Sequence, residues 1–336
     1  MACGRRQWIV RLWQPASREP VRLTAISRPY DRTTLVAIFL GIDGGGSKTS
    51  CLIGDEQSVL GEGVAAGSNV VSVGEANAKE ALGQAIREAC SAAKILPSQI
   101  TRTCIGLAGA ARPAVSELVR QMLTQIIAGE IDIVGDMVIA MEAAFGAGPG
   151  VIVIAGTGSI AYGRNPKGET ARAGGWGFVV SDEGSGSWIG RSAVAAVLRA
   201  KDKNQTASLF EPVLKLWQLE SHEQLVLAAN STPQPNFAAL FPLVLSAAES
   251  GDIMGIRILT QAGNELADLA QIVVDRIFPA GRTFPLATAG GVLRSSALLR
   301  QIFYNRLHSE QTAVGVSPVV VEPVRGALDL ARRRSL

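Results

Sequence analysis

The sequence predicts an α/β protein made of two similar halves that face each other across a cleft. In the first half, apolar runs at 37–42, 48–53 and 59–65 are separated by turn residues and followed by a helical pattern at 74–93. About 110 residues later, Val151-Ile-Val-Ile-Ala155 begins the same succession, with a glycine-and-hydroxyl turn again joining two adjacent strands. Ligands of open α/β sheets bind outside the carboxyl ends of the strands, so we expect both turns to border one cleft.

The remaining elements follow from periodicity and from proline and glycine positions. In the first half we expect a strand at 102–107, a helix at 114–127 and a strand at 130–134. The second half is dominated by helices, predicted at 185–200, 206–217, 221–229, 236–250 and 253–278, and it closes with a strand at 284–288, a helix at 296–309, a strand at 316–321 and a helix at 325–334. These boundaries predict an extension (1–36), a small domain (37–147) and a larger domain (148–324), with the C-terminal helix packing back on the small domain.

Composition excludes several classes of protein. Hydrophobic residues make up 47% of the 336 residues, which excludes a disordered chain. Residues 1–36 carry a charge of +5 from seven arginines against Glu19 and Asp31, so the rest of the chain carries −2 and does not predict nucleic-acid binding. No apolar run approaches the roughly 18 residues of a membrane-spanning helix, which predicts a soluble protein without a membrane partner.

Cysteine usage and the N-terminal extension indicate the compartment. Cys3, Cys51, Cys90 and Cys104 share no C-x-x-C spacing, so we expect reduced, buried thiols and a cytoplasmic protein. The arginine-rich extension loosely resembles an organelle transit peptide, but its composition favours a disordered segment or a start codon assigned too far upstream.

The turn after the first strand has the composition of a phosphate-binding loop. Asp43 ends the strand, and Gly44, Gly45 and Gly46 leave the backbone N–H groups accessible to an anion. The pattern is not a P-loop, because Ser47 separates the last glycine from the lysine and a second strand follows instead of a helix. By itself, such a triple-glycine turn is more often only a tight hairpin.

Two further places carry side chains suited to chemistry. Asp136 follows the strand at 130–134 and opens a helix, so it is either a general base at the cleft or a helix N-cap, whereas Asp132 should face away or lie on the surface. The segment 174–190 combines six glycines with Trp176, Asp182 and a second tryptophan. An aromatic face beside carboxylates suits a polyhydroxylated ring; the alternative is a structural loop with a buried Trp176. His222 and His308 lie apart in polar helical contexts and predict neither a zinc site nor a Ser-His-Asp triad.

Several motifs stand in a characteristic order. They are Gly41-Ile-Asp-Gly-Gly-Gly-Ser-Lys-Thr49, Gly135-Asp136, Gly156-Thr-Gly-Ser159, Gly174-Gly-Trp-Gly177, Ser181-Asp-Glu-Gly-Ser-Gly186 and Thr288-Ala-Gly-Gly291. Together they resemble the N-acetylglucosamine kinase branch of the BadF/BadG/BcrA/BcrD ATPase family, over residues 37 to 332. The resemblance implies two ribonuclease H-like, actin-like ATPase domains facing an interdomain cleft, the second with extra helices.

The resemblance also implies roles for individual residues. ATP phosphates would be bound by Asp43, Gly44, Gly45, Gly46, Ser47, Lys48, Thr49, Gly156, Thr157 and Gly158, with Gly290 and Gly291 beside the adenosine and Asp43 holding Mg²⁺ through water. The sugar would be bound by Asn69, Asp136, Gly175, Trp176 and Asp182, with Asp136 as catalytic base on the 6-hydroxyl. Gly135 stands where the family usually has Asn or Thr, and Ala108-Gly109 where it often has Ser, which leaves the preferred sugar open.

These observations lead to the hypothesis of an ATP-dependent amino-sugar kinase, with N-acetylglucosamine as the first candidate substrate. ATP, Mg²⁺ and a small amino sugar are the expected ligands, and the resemblance is compatible with a homodimer. The alternatives are a glucosamine, N-acetylmuramate or other hexose kinase, and an ATP-driven activator of a 2-hydroxyacyl-CoA or benzoyl-CoA type dehydratase or reductase. An activator needs cysteines at a cleft edge to hold an iron–sulfur cluster. A sugar-sensing regulator ranks last, since no recognition helix is evident.

Overall fold

Two five-stranded sheets organise the molecule. The computed structural model describes residues 37–279, 284–309 and 314–333. The N-terminal sheet has the order β3-β2-β1-β4-β5 and the C-terminal sheet has the order β8-β7-β6-β9-β10, so both halves share one topology. The strands are β1 (Ile38–Gly44), β2 (Lys48–Gly54), β3 (Val59–Ala66), β4 (Ile100–Leu107), β5 (Glu130–Gly135), β6 (Gly150–Ala155), β7 (Ser159–Arg164), β8 (Thr170–Gly174), β9 (Phe284–Ala289) and β10 (Val314–Val321).

Helices cover the sheets, and most of them belong to the C-terminal half. In each half the first three strands form an antiparallel meander and the last two run parallel to the first. The helices are α1 (Val70–Val73), α2 (Glu75–Ala93), α3 (Pro113–Thr124), α4 (Asp136–Phe145), α5 (Gly186–Asp202), α6 (Phe210–Trp217), α7 (His222–Ala229), α8 (Phe241–Glu249), α9 (Ile253–Ile277), α10 (Gly291–Ser295), α11 (Ala297–Ser309) and α12 (Pro323–Arg332), with short 3-10 turns at Pro97–Gln99 and Phe237–Leu240.

Apolar spacing explains how α2 is held on the N-terminal sheet. Leu82 and Ile86 recur at helical spacing and are fully buried, in the same core cluster as Leu40 and Ile42 of β1. Burying side chains of this size stabilises the fold by about 1.5–3 kcal/mol each. The meander and its helix therefore form one layered unit, with the carboxyl end of β1 left open at the sheet edge.

Two helices, each following the last strand of its sheet, cross against the N-terminal sheet. α12 follows β10 but packs on the N-terminal sheet, where Leu328 and Val324 share a buried cluster with Phe39 of β1. The crossing with α4 is close, because a Cβ atom on Gly326 would lie 2.0 Å from the carbonyl oxygen of Ile139. The chain therefore passes between the two sheets twice, after α4 and before α12.

The predicted α/β class and the strand–turn–strand interpretation of the first glycine turn are confirmed. The helix expected at 236–250 is wrong in its first turn, which is a 3-10 turn (Phe237–Leu240) that ends directly before α8 begins at Phe241. Helices α1 and α10 are too short to show periodicity and were not predicted. The extension 1–36, with Cys3, lies outside the described residues. Within those that are described, no helix alone has the length and apolarity to cross a bilayer; a bent pair, Phe237–Glu249 and Ile253–Ile277 at 117°, reaches them only jointly.

Candidate active site

The first glycine turn is a closed backbone loop at the end of β1. The N–H of Gly45 donates to the carbonyl of Lys48 at 3.0 Å, and the carbonyl of Gly45 accepts the N–H groups of Ser68 and Asn69 at 3.0 and 3.2 Å. Gly44 is buried, whereas the side chains of Ser47 and Lys48 are exposed. The loop therefore has a fixed shape and presents a hydroxyl and an ammonium outward.

The second glycine turn contacts the first. Ser47 Oγ and Thr157 Oγ1 lie 2.8 Å apart, which is hydrogen-bonding distance. A Cβ atom on Gly46 would lie 3.0 Å from Thr157 Oγ1, so the first turn approaches the second with its bare backbone. Two turns from different sheets are thus in direct contact.

The neighbouring strand end adds a third turn on the same edge. Ile154 of β6 pairs with Ala289 of β9, so the turns after these two strands are adjacent. Gly290 has φ +97° and a Cβ there would lie 2.2 Å from the carbonyl oxygen of Ala155, so only glycine fits. A Cβ on Gly291 would meet no atom within 4 Å. Gly291 therefore borders open space suited to a ligand.

Two carboxylates lie at the carboxyl edge of the N-terminal sheet. Asp43 pairs with Gly106 of β4, which pairs with Val134 of β5, and Asp136 follows two residues beyond. A Cβ on Gly106 would lie 2.3 Å from Cδ1 of Ile139, so the missing side chain lets α4 approach the sheet. That approach fixes the start of α4, and with it Asp136, beside the end of β1.

Burial changes the proton affinity of both groups. Burial first, and then the negative charge of Asp136, raises the pKa of Asp43 to about 7, although Lys48 and Arg294 oppose the rise. Burial likewise raises the pKa of Asp136, against the stabilising effect of backbone N–H donors. Asp136 is the first residue of α4 and its Oδ1 accepts the N–H of Met137 at 2.9 Å; the N-cap is Gly135. The N-cap interpretation of Asp136 is therefore wrong.

Asp182 is a third carboxylate, contributed by the C-terminal half, and it is close enough to feel the charge of Asp136. It is buried, its Oδ1 accepts the N–H of Gly177 at 3.3 Å, and a Cβ on Gly158 would lie 2.6 Å from its Oδ2. Burial raises the pKa of Asp182 to about 6, and the charges of Glu183 and Asp136 add to the rise. Its φ is +62°, an uncommon conformation that Asp tolerates better than most residues. Asp182 therefore belongs to the same electrostatic environment as Asp136.

Trp176 lies on an open loop between β8 and α5. Its side chain is 68% exposed, and the guanidinium carbon of Arg172 lies 4.1 Å from the centroid of its ring. A buried structural tryptophan was the alternative interpretation, and the exposure shows it to be wrong. Gly175, which precedes the ring, has φ +70° and packs against Ile160.

Two other candidates make structural contacts. Thr49 is fully buried and its hydroxyl donates to the carbonyl of Ala66 at 2.7 Å, so it joins β2 to β3 and does not face the cleft. Asn69 is the N-cap of α1, where its Oδ1 accepts the N–H of Val71 at 3.1 Å. The Asn69 side chain also carries an amide nitrogen. The residue lies beside the first turn, where its backbone N–H donates to the carbonyl of Gly45.

Two residues near the turns were missed by sequence reasoning. Ser68 is buried, its hydroxyl lies 3.0 Å from the Cβ position of Gly44, and it has no hydrogen-bond partner among the described residues. Arg294, in α10, is close enough to oppose the raised pKa of Asp43. Ser68 could have been noticed, since it stands in a turn between Gly67 and Asn69. No local pattern marks Arg294, because its position near Asp43 results from the pairing of β6 with β9.

The three described cysteines are buried in the core, and the two histidines lie on helices of the C-terminal half. Cys51, Cys90 and Cys104 are free, buried thiols of the N-terminal half, and burial raises the pKa of each of them. His222 stacks on Phe210 with ring centroids 3.8 Å apart, and Nδ1 of His308 lies 2.7 Å from the carbonyl oxygen of Tyr304. Asp132 forms an ion pair with Arg102 at 2.8 Å and is half-exposed, as expected of a residue facing away.

Two sheets of one topology, whose glycine turns meet at a carboxylate-lined cleft, define a protein of the actin-like ATPase fold. The sequence profile of the BadF/BadG/BcrA/BcrD ATPase family matches residues 40–331, and the chain belongs to that family. The resemblance stated from the motifs is thereby confirmed.

Named relatives cover almost the whole chain. It is 34% identical over 298 residues to the N-acetylmuramic acid/N-acetylglucosamine kinase of Clostridium acetobutylicum, covering 87% of this chain and 97% of that protein. It is 31% identical over 310 residues to the N-acetyl-D-glucosamine kinase of Dictyostelium discoideum, covering 88% and 97%. A crystal structure from Chromobacterium violaceum, described as a candidate N-acetylglucosamine kinase, superimposes with a TM-score of 0.70 at 26% identity, covering 89% of this chain and all of that one.

Proposed function

We propose that this protein is an ATP-dependent amino-sugar kinase that transfers the γ-phosphoryl group to the 6-hydroxyl of a hexosamine, with N-acetylglucosamine as the first substrate. The observation that carries the proposal is the contact between Ser47 and Thr157, because it joins the two glycine turns beside Asp43 and Asp136. The names of both curated relatives support the same activity.

The glycine turns would do most of the catalytic work by positioning. Phosphoryl transfer depends mainly on alignment and on stabilising charge over the phosphoryl oxygens. Backbone N–H groups of the turns at 44–46 and 156–158, with the hydroxyls of Ser47 and Thr157 and the ammonium of Lys48, supply donors of that kind. Gly290 and Gly291 would border the adenosine, since the turn they form opens on the same edge.

Asp136 would act as the general base. Its Oδ1 accepts the N–H of Met137, so Oδ2 is the oxygen that can take the proton of the sugar hydroxyl. As that hydroxyl oxygen bonds to the γ-phosphorus, the bond to the leaving oxygen of ADP breaks and the proton passes to Asp136. A raised pKa makes Asp136 a stronger base, and such a base contributes about 10²–10⁴-fold to the rate.

The donor set fits Mg²⁺ bound indirectly. Asp43 is a carboxylate kept at the sheet edge with its pKa raised by burial, and a nearby cation would favour its ionised form. Mg²⁺ keeps several waters and uses one or two carboxylates with substrate phosphates, so Asp43 would hold it through water. The ion would neutralise charge on the phosphates.

The sugar would lie between Asn69, Asp136, Gly175, Trp176 and Asp182. Closure of the small domain (37–147) on the larger one (148–324) would exclude water that competes for the γ-phosphoryl group. The reaction is expected in the cytoplasm, where ATP is available. A homodimer is compatible with the proposal, and neither nucleic acid nor membrane is required by it.

N-acetylmuramate is the second candidate substrate, because the Clostridium relative carries both sugars in its name. Glucosamine and other hexoses remain kinase alternatives on the same scaffold. An activator of a dehydratase or reductase is disfavoured, since the three described cysteines lie inside the core of the N-terminal half instead of at an edge. A coupled assay of ADP release across a panel of these sugars tests the proposal. Turnover with N-acetylglucosamine is expected, and hydrolysis of ATP that no sugar accelerates would refute it.

A further inference from the structure

Arg172 and Trp176 form a cation–π pair at the carboxyl end of the edge strand β8. Arg172 is in the edge strand β8, and Gly174 and Gly175 follow with φ +71° and +70°. These two positive φ values turn the chain back, so that the indole ring lies over the guanidinium at 4.1 Å. Arg276 donates to the carbonyl of Arg172 at 3.0 Å and anchors its backbone. Strand and loop thus present a cation and an aromatic face together.

The charge of Arg172 is not used by the fold. In the part of the chain that the structure describes, its guanidinium has no carboxylate partner, and its contact is the Trp176 ring. Arg191, in the helix that follows the same loop, is different: it donates to the carbonyls of Val179 and Ser181 at 3.0 and 3.4 Å and holds the loop. Arg172 is therefore available for a ligand, while Arg191 holds the loop and its charge opposes the raised pKa of Asp182.

The loop is connected to the reacting side of the cleft. Gly177, the residue after Trp176, donates its N–H to Oδ1 of Asp182. The Oδ2 of Asp182 lies against Gly158, and the charge of Asp136 reaches Asp182. A sugar held with its 6-hydroxyl near Asp136 would thus extend toward Trp176, and substituents on its far side would reach Arg172.

We propose that Arg172 binds a carboxylate carried by the amino sugar, the 3-O-lactyl group of N-acetylmuramate, and so determines how well the enzyme accepts acidic against neutral N-acetylhexosamines. The inference rests on the proposed kinase function. A guanidinium can stack its flat face on an indole while its edge donates two parallel hydrogen bonds to a carboxylate. N-acetylglucosamine is uncharged, so it would contact the aromatic ring of Trp176 without forming the ion pair with Arg172.

The test compares three substrates in the wild type and in R172Q: N-acetylglucosamine, N-acetylmuramate and the methyl ester of N-acetylmuramate, which keeps the shape and loses the charge. In the wild type, kcat/KM is expected to be about 10- to 100-fold higher for the acid than for the ester, which is the range for one charge-assisted hydrogen-bonded pair. The two substrates should differ in KM and not in kcat, because the carboxylate contact is made in the ground state as well. R172Q should abolish that preference, R172K should keep part of it, and added salt should weaken it in the wild type. R191K is the matched control, because it weakens the bonds that hold the loop, keeps the positive charge near Asp182 and should change acid and ester alike.

The outcomes separate the inference from the function on which it rests. If the wild type phosphorylates N-acetylglucosamine but not N-acetylmuramate, or if R172Q lowers acid and ester by the same factor, Arg172 is not the carboxylate site and the kinase function stands. If no sugar is phosphorylated, the proposed function itself is wrong. The acid-to-ester ratio of the wild type needs no variant, so equal rates for the two would overturn the inference even where R172Q does not fold.

Discussion

Ser47 Oγ and Thr157 Oγ1 lie 2.8 Å apart, although 110 residues separate them along the chain. Each belongs to the turn after the first strand of its own sheet, so equivalent positions of the duplicated topology touch each other. Two hydroxyls that can each donate or accept are able to exchange this mutual bond for bonds to phosphate oxygens. The contact therefore marks where both halves would hold the same phosphates.

Removing either hydroxyl should weaken ATP use. A hydrogen bond to a charged group contributes about 1.5–3 kcal/mol, so S47A and T157A should each lower kcat/KM for ATP about 10- to 100-fold. The conservative exchanges S47T and T157S keep the hydroxyl and are expected to stay within a few fold of the wild type. Steady-state kinetics with varied ATP measures this. Wild-type values for both alanine variants would show that the turns do not hold the phosphates.

Removing the charge of Asp136 should abolish turnover and leave ATP binding. D136N keeps an acceptor oxygen for the N–H of Met137, so α4 should begin normally, but it cannot take a proton. We expect kcat to fall about 10²–10⁴-fold with the dissociation constant for ATP nearly unchanged. Single-turnover kinetics and calorimetry provide the two measurements.

D132N is the control for this experiment. Asp132 is a nearby carboxylate of β5, but it faces away, and its Oδ2 accepts from Arg102, whose side chain is only 12% exposed. The asparagine of D132N keeps an oxygen for that guanidinium and lies outside the proposed site, so a loss should fall on stability while activity stays within a few fold. A similar loss in both variants would indicate a general effect on the N-terminal sheet and would remove the assignment of Asp136 as the base.

On acidification, activity should begin to fall at a higher pH than it would if the base had the usual pKa of an aspartate. A base must be ionised, and burial raises the pKa of Asp136 above its usual 3.8. The value of kcat, which reports the enzyme with its sugar bound, should therefore rise with pH through an acid limb placed above 3.8. Rates that stay level down to pH 4, with the protein still folded by circular dichroism, would contradict this role.

The local sequence was sufficient for most of the fold and for part of the site. β1 and β6 are recognisable as continuous apolar runs because both of their faces are buried, and α2 and α9 show a period of 3.6 because each buries one side. Asp43 and Ser47 were found because glycines mark a turn at a strand end. Arg294 was not, since its approach to Asp43 depends on strand pairing between distant segments. The side chain of Thr49 was expected to face the phosphates for the same reason. Its orientation depends on the hydrogen bond to the carbonyl of Ala66 in β3, which the local sequence does not reveal.

The crossing of α4 and α12 should be sensitive to a single methyl group. In G326A the new Cβ would lie 2.0 Å from the carbonyl oxygen of Ile139, so the helices must separate. Overpacking of this kind destabilises by about 1–3 kcal/mol. G83A is the matched control: it is also a helical glycine, but its Cβ meets only the flexible end of Arg87, so it should be neutral or slightly stabilising. Thermal unfolding of both variants tests the difference, and equal melting temperatures would contradict it.

Replacing Asp182 by asparagine should raise the free energy of unfolding and lower the affinity for the sugar, and the gain in stability should depend on pH. Its pKa rises from 3.8 to about 6 on folding, so the folded state favours the neutral acid, and this stabilisation is complete below pH 4 and lost as the pH rises through 6. D182N stays neutral, tolerates the φ of +62° and keeps an oxygen for the N–H of Gly177. We therefore expect D182N to be more stable than the wild type by about 1–3 kcal/mol at pH 7.5, to match it near pH 4, and to lose sugar affinity. Melting temperatures across this pH range measure the effect. A stability difference that does not change with pH would show that the carboxylate of Asp182 is not destabilised by its burial.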